Sequence, residues 1–235
     1  LVKKILVLTD SLGLPRSKPE VVTDEQCWAY RMTSMSDYSW YLYQRGGYTS
    51  DDFIKDSSNY LSAFSPDIVI IQMGIVDCAP RALSKKELAF ISLVPFIGKR
   101  IKLLIKKNRQ KIILYRKLTY VDKEKFKINL QRLKRIFQNA DFIAIPILPA
   151  NQEYEYSSPG VSDKIWLYNQ VLKAEFDTID LFNDINITDL IMSDNHHLNA
   201  KGHDHVCTVL KQYLQTHFET EKSRKGITRC ISKSI

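Results

Sequence analysis

A serine directly behind an apolar run, and an acid and a base three residues apart near the other end, are the residues of this chain best suited to chemistry. Ser11 follows Ile5-Leu6-Val7-Leu8 in the segment Asp10-Ser11-Leu12, and Asp194-Asn195-His196-His197-Leu198-Asn199 carries the acid and the base. Serine attacks a carbonyl only when a base takes its proton, and imidazole is the usual base. The imidazole in turn needs a carboxylate on its other nitrogen to set its tautomer. Ser11, Asp194 and His197 supply those parts in the chain order Ser, Asp, His. Taken separately, Ser11 could equally cap a helix, and Asp194 with His197 could equally form a capped loop. Together, after a strand, they favour catalysis.

The elements that must position them alternate between short apolar runs and helical patterns. Ile5 to Leu8 and Ile68 to Ile71 are almost wholly β-branched or Leu, as in strands buried on both faces of a parallel sheet. Phe142 to Ile147 is similar, while Trp40 to Tyr43 and Thr178 to Phe182 are weaker strands. Helical patterns cover 25–35, 50–62, 85–107, 123–139, 162–176 and 200–218, with Asp122 and Asn199 as caps of the fourth and last. Ile112 to Tyr115 fits a short strand or a helix end. This alternation predicts a three-layer α/β/α sandwich. Its ligands belong at the carboxyl ends of the strands, where Ser11 and the Asp194/His197 pair would meet.

The chain has 235 residues, enough for one substantial core, with 44% hydrophobic residues, and reads as one domain over 1–218 followed by a polar, basic tail over 219–235 that is expected to be mobile at its end. No apolar stretch reaches the ~20 residues that span a bilayer. Four cysteines (Cys27, Cys78, Cys207 and Cys230) stand far apart without a CxxC pair and read as reduced thiols of a cytoplasmic protein. The first residue is Leu1, which leaves open a removed upstream segment. The net charge is +8, yet residues 98–135 hold fifteen Lys/Arg against Asp122 and Glu124. That stretch is either a solvated helical face or a patch for an anionic glycan or a membrane surface. Nucleic acid is a weaker match, because no nucleic-acid motif accompanies the charge. All five histidines fall between His196 and His217, but their spacings match no standard zinc pattern, so neither metal nor cofactor is expected. Cys27 and Cys78 read as packing residues. Among Trp28, Tyr30, Trp40, Tyr41 and Tyr43, mostly core by spacing, one or two could form a wall for sugar stacking.

Asp10-Ser11-Leu12 resembles the Gly-Asp-Ser-Leu block of the SGNH (GDSL) hydrolases, with Thr9 in the usual glycine position. Gly46-Gly47-Tyr48-Thr49-Ser50 resembles the second block, Gly74-Ile75-Val76-Asp77 the third, and Asp194 to Asn199 with Lys201-Gly202-His203 the fifth. The blocks occur in family order from Thr9 to His203. The resemblance implies a flavodoxin-like sheet of five parallel strands and a cofactor-free esterase, lipase or acyl-transfer activity. It makes Ser11 the nucleophile, His197 the base, Asp194 its orienting acid, and the N–H groups of Ser11 and Gly47 two oxyanion donors.

A second position departs from the pattern. Val76 stands where the family has an oxyanion-hole asparagine, and loss of one such donor typically costs ~3–4 kcal/mol of transition-state stabilisation. An arginine could compensate. Pro15-Arg16 and Pro80-Arg81 follow the first and third blocks at nearly equal distance, and either guanidinium at the pocket rim could hold a carboxylate or phosphate or approach the oxyanion. The functional expectation is a serine esterase that works through an acyl-enzyme, removing acetyl from a carbohydrate or surface-polysaccharide ester. Its alternatives are an O-acyltransferase that passes the same acyl group to a sugar, and a catalytically weak binding protein on the same fold.

Overall fold

The structure, a computed structural model, describes residues 2–183 and 185–231. Five parallel strands form one sheet in the order β2-β1-β3-β4-β5, with β1 Lys3–Thr9, β2 Tyr38–Gln44, β3 Ile68–Gln72, β4 Asp141–Ala144 and β5 Asp177–Thr178. Ile5 to Leu8 and Ile68 to Ile71 are fully buried, as the continuous apolar runs require of inner strands. β2 lies at one edge and is only partly covered. β4 and β5 are shorter than the sequence suggests. Ile145 still donates to Ile71, but Pro146 and Pro149 lack the N–H that a ladder needs, and the chain leaves the sheet there.

Ten helices link and cover the strands among the described residues: α1 Trp28–Met32, α2 Ser50–Asn59, α3 Ile75–Cys78, α4 Lys85–Ser92, α5 Pro95–Lys107, α6 Arg109–Arg116, α7 Lys123–Ile136, α8 Gln152–Ser157, α9 Val161–Glu175 and α10 Ala200–Ile231. Helix α1 packs on α10, and α7 packs between α2 and α9. The sheet between these helices gives the expected three-layer α/β/α sandwich. Asp122 caps α7 by accepting from Lys125 N–H, and Asn199 accepts from Gly202 N–H at the start of α10.

The helix expected over 85–107 is two helices. Pro95 opens α5, and Val94 before it is pushed out of helical geometry at φ −116°, ψ 82°. The undecided segment Ile112 to Tyr115 lies inside α6. Helix α10 continues past 218 through Ile231, while residues 232–235 of the expected tail lie outside the described residues, as does Leu1. No helix among the described residues is long and apolar enough to cross a membrane.

Candidate active site

Every candidate residue sits past the carboxyl end of a strand. Directly after β1, Asp10 caps a 3₁₀ turn over Ser11–Gly13, its Oδ1 accepting from Leu12 N–H at 3.0 Å. This turn leaves Ser11 half-buried at the cleft. Thr9, in the position usually held by glycine, fits because of Gly13: a Cβ there would lie 2.5 Å from the Thr9 methyl. Asp10 itself is buried, with no partner for Oδ2. Burial, partly offset by the Leu12 bond and reinforced by nearby Asp77, pushes its carboxyl up to about 7.

The acid and base arrive on a loop that Asp194 folds around itself. Its Oδ1 accepts from the N–H groups of His196 and His197, at 3.2 and 3.1 Å. Asn195 between them takes the left-handed conformation at φ 67°, which asparagine tolerates well. Asn151 Nδ2 donates to Asn195 Oδ1, and Ile191 pairs with Leu198 across the loop. So held, Asp194 Oδ2 accepts from His197 Nδ1 at 2.7 Å, and His197 Nε2 lies 3.0 Å from Ser11 Oγ. Burial tends to raise the Asp194 carboxyl, but the side-chain and backbone bonds from His197 outweigh it and hold it below the usual value. Burial of His197, with neighbouring His196 and Arg16 acting against Asp194, brings the imidazole down to about 4. The ring is therefore a neutral acceptor at Nε2 at ordinary pH.

Gly47 follows β2 in the left-handed region at φ +74°, a conformation that costs glycine nothing. A Cβ there would meet no atom within 4 Å, so the backbone at Gly47 borders open space. Among the described residues neither Ser11 N–H nor Gly47 N–H has an acceptor within the protein. Both remain available to an oxyanion. Asp77 secures this loop from below. It is fully buried and accepts from Ser50 N–H at 2.9 Å and Ser50 Oγ–H at 2.6 Å, while Asn129 Nδ2 donates to the same Ser50 Oγ. Its place in the third block suggests an oxyanion or substrate contact for Asp77; the structure puts it beneath the cleft instead, holding the loop that bears Gly47.

Val76 is 7% exposed and has no donor side chain. Of the two arginines, Arg81 contacts Val76 and Arg16 contacts the base. Arg16 Nη2 reaches His197 Nε2 at 2.6 Å. Arg81 stacks on the Tyr120 ring at 4.7 Å and donates from Nη2 to Val76 O at 3.5 Å. Tyr120 and Tyr154 escaped the sequence reading. Tyr154, on α8, tilts against His196 at 5.5 Å, and His196 in turn lies on His197 at 3.9 Å between ring centroids. Neither tyrosine belongs to a spacing pattern; tertiary packing alone brings them in.

The other sequence candidates have structural places. His203 Nδ1 accepts from Trp28 N–H and ties α10 to the start of α1, while His205 contacts Leu181 O. Cys27 and Cys78 are buried, and burial pushes the Cys27 thiol up to about 12 and the Cys78 thiol higher, far from a reactive thiolate. Trp28 is fully buried, with Nε1 donating to Gln72. Asp194, His196 and His197 have ligand atoms within 4.8 Å of one another. Both nitrogens of His197 are already engaged, so an ion there would compete with Asp194 or Ser11.

No protein-family model matches the chain, and no curated protein matches it in sequence. Solved structures do. A lipase/acylhydrolase from Enterococcus faecalis aligns at a TM-score of 0.61 and 15% identity, over 91% of this chain and 96% of that one. A member of the lipolytic protein G-D-S-L family from Veillonella parvula aligns at 0.56 and 12%, over 89% and 96%. The fold is that of the SGNH hydrolases. An acetylxylan esterase from Geobacillus stearothermophilus shares this frame at 0.53 and 13%, over 89% and 93%. On the SGNH-hydrolase fold of this chain, Ser11, Gly47 and Val76 follow the ends of β1, β2 and β3 in turn, and His197 comes from the loop that leads into α10.

Proposed function

We propose that the chain is a serine esterase acting through an acyl-enzyme, with an acetylated carbohydrate as the favoured substrate class. The observation that carries this reading is the unbroken chain Ser11 Oγ, His197 Nε2, His197 Nδ1, Asp194 Oδ2, at 3.0 and 2.7 Å. Ser11 attacks the ester carbonyl as its proton passes to Nε2, and the carbonyl electrons move onto oxygen between the N–H groups of Ser11 and Gly47. When the intermediate collapses, His197 returns the proton to the leaving alcohol. Water then repeats the sequence on the acyl-enzyme and releases the acid. An acceptor sugar could replace that water, giving an O-acyltransferase from the same residues. An acetylxylan esterase and a lipase/acylhydrolase both share this fold, so the length of the acyl chain is decided by the test and not by the likeness. The test is hydrolysis of acetyl, butyryl and longer aryl esters and of acetylated xylo-oligosaccharides by wild type and Ser11→Ala, with and without added sugar acceptor. Acetyl esters cleaved by wild type alone support the reading; equal rates for both proteins contradict it.

A second reading concerns the α4–α6 arm, which we propose docks on an anionic membrane surface. Residues 95–117 contain nine Lys/Arg and no Asp or Glu. Large apolar side chains are exposed among them, with Leu103 and Leu104 on α5, Leu114 and Tyr115 on α6, and Phe90 and Leu93 beside them. Exposed apolar residues amid cations suit a bilayer of anionic lipid, where the rings and aliphatic chains enter the boundary and the lysines meet headgroups. Sedimentation with phosphatidylglycerol vesicles should carry wild type down, and phosphatidylcholine vesicles should not. Retention by phosphatidylglycerol of a Leu103→Glu, Leu104→Glu variant as strong as wild type contradicts it.

A further inference from the structure

Two donors converge on one lone pair at His197. Because Nδ1 faces Asp194 Oδ2 at 2.7 Å, its proton resides there, and Nε2 has a single in-plane lone pair to offer. The Ser11 hydroxyl stands 3.0 Å from it and Arg16 Nη2 only 2.6 Å. A guanidinium can only donate and never loses its proton, so the nearer, charged donor holds the lone pair. While it does, Ser11 has no vacant base.

Among the described residues nothing neutralises that guanidinium. Among the described residues Arg16 has no carboxylate partner, and its buried Nε has no acceptor. Its backbone is pinned by a reciprocal pair of hydrogen bonds with Val22, both 2.8 Å, so the loop is fixed while the head group is not. Arg81 has the same construction: a preceding proline, a backbone bridge to Leu118, and a buried Nε without an acceptor. His197, His196 and Tyr154 form a continuous run of contacts that begins at Arg16, and at its far end the Arg81 charge opposes the burial that raises the Tyr154 hydroxyl. Two half-buried cations beside a hydrolytic centre, without a counter-charge among the described residues, call for an anion from outside.

We propose that Arg16 is an anion-responsive latch on the base: the substrate is an ester that also carries a carboxylate or phosphate, and this anion draws the Arg16 guanidinium off His197. Once Nε2 is released, the Ser11 proton has its acceptor. Arg81 forms the second cationic wall of the same anion subsite. The inference rests on the esterase reading and adds to it the charge of the substrate and a means of suppressing turnover of neutral esters.

Three aryl acetates with the same scissile bond test it: 4-acetoxybenzoate, 4-acetoxyphenyl phosphate and neutral methyl 4-acetoxybenzoate. Wild type should favour at least one anionic ester in kcat/KM by about 10- to 100-fold, the range set by hydrogen bonds to charged groups. The better of the two identifies the anion. Arg16→Met should lose this preference and cleave the methyl ester faster than wild type does, because its base is free. Arg16→Lys, which keeps the charge but not the planar fork, should retain part of the preference. A fall of all rates in equal proportion in Arg16→Met would instead mark a structural or oxyanion role and overturn the latch. Absence of any anionic preference in wild type overturns it as well, while Ser11-dependent cleavage of the methyl ester would leave the esterase reading intact. If Ser11→Ala matches wild type on all three esters, both readings fall.

Discussion

His197 Nε2 stands 3.0 Å from Ser11 Oγ although 186 positions separate the two residues. The fold produces this contact: β1 ends at Thr9, just before Ser11, inside the sheet, and the loop bearing His197 follows β5 and leads into α10, which packs on α1. The Asp194 loop then needs only its own short hydrogen bonds to aim the imidazole.

Asp194 orients rather than transfers. Replacing it in Asp194→Asn should keep the loop but present an amide to Nδ1, favouring the wrong tautomer. Steady-state kinetics on an aryl acetate should show kcat lower by roughly 10⁴ with KM little changed, as for other triads. A loss confined to KM would contradict the assigned role.

The imidazole of His197 titrates at about 4. It is faced by Asp194 and His196 from its own loop, by Ser11 and Arg16 from the turn after β1, and by His203 from α10. A base works unprotonated, so kcat/KM should rise with pH through about 4 and show no step near the ordinary histidine value of about 6.5. Removing the Arg16 charge takes away one of the influences that depress the value. The acid limb of Arg16→Met should therefore move to higher pH.

Asp10 makes a stability prediction of definite sign. Its folded value of about 7 lies above the unfolded 3.8, so the folded chain holds the proton more tightly. Stability from this group is full below the unfolded value and lost as pH rises through the folded one. Asp10→Asn, neutral throughout, should exceed wild type in Tm at about pH 8, and the margin should shrink towards pH ~4. Thermal melts at both pH values check it; a margin that grows on acidification contradicts it.

Asp77→Ala strips the acceptor from Ser50 N–H and Oγ in a fully buried place. Each unsatisfied buried donor costs about 1–3 kcal/mol, so urea unfolding should show a loss of roughly 2–4 kcal/mol. With the Gly47 loop loosened, kcat should fall too, while Ser50→Ala, which keeps the N–H bond, should be milder in both measurements.

Much of the site is written locally in the sequence. The runs Ile5 to Leu8 and Ile68 to Ile71 disclose buried strands because both their faces are apolar, and Asp194 with His197 discloses its loop because the acid bonds the backbone two and three residues on. The break between α4 and α5 is hidden in the sequence because apolar periodicity continues on both sides of Pro95. Arg16 and Arg81 could be suspected from their equal spacing behind two blocks. That Arg16 would donate to the base itself depends on the Val22 bridge, a contact between loop residues with no periodic signature. Tyr120, Asn151 and Tyr154 reach the site only through tertiary packing, and no local pattern marks them.

The most direct measurement of the central claim is labelling of the folded protein with a serine-directed fluorophosphonate, followed by intact-mass analysis and peptide mapping. An activated Ser11 predicts a single adduct on that residue, absent in Ser11→Ala and strongly slowed in His197→Ala. Folded wild type and Arg16→Met that both take up no label, or take it on another residue, would contradict the assignment of Ser11 as the nucleophile.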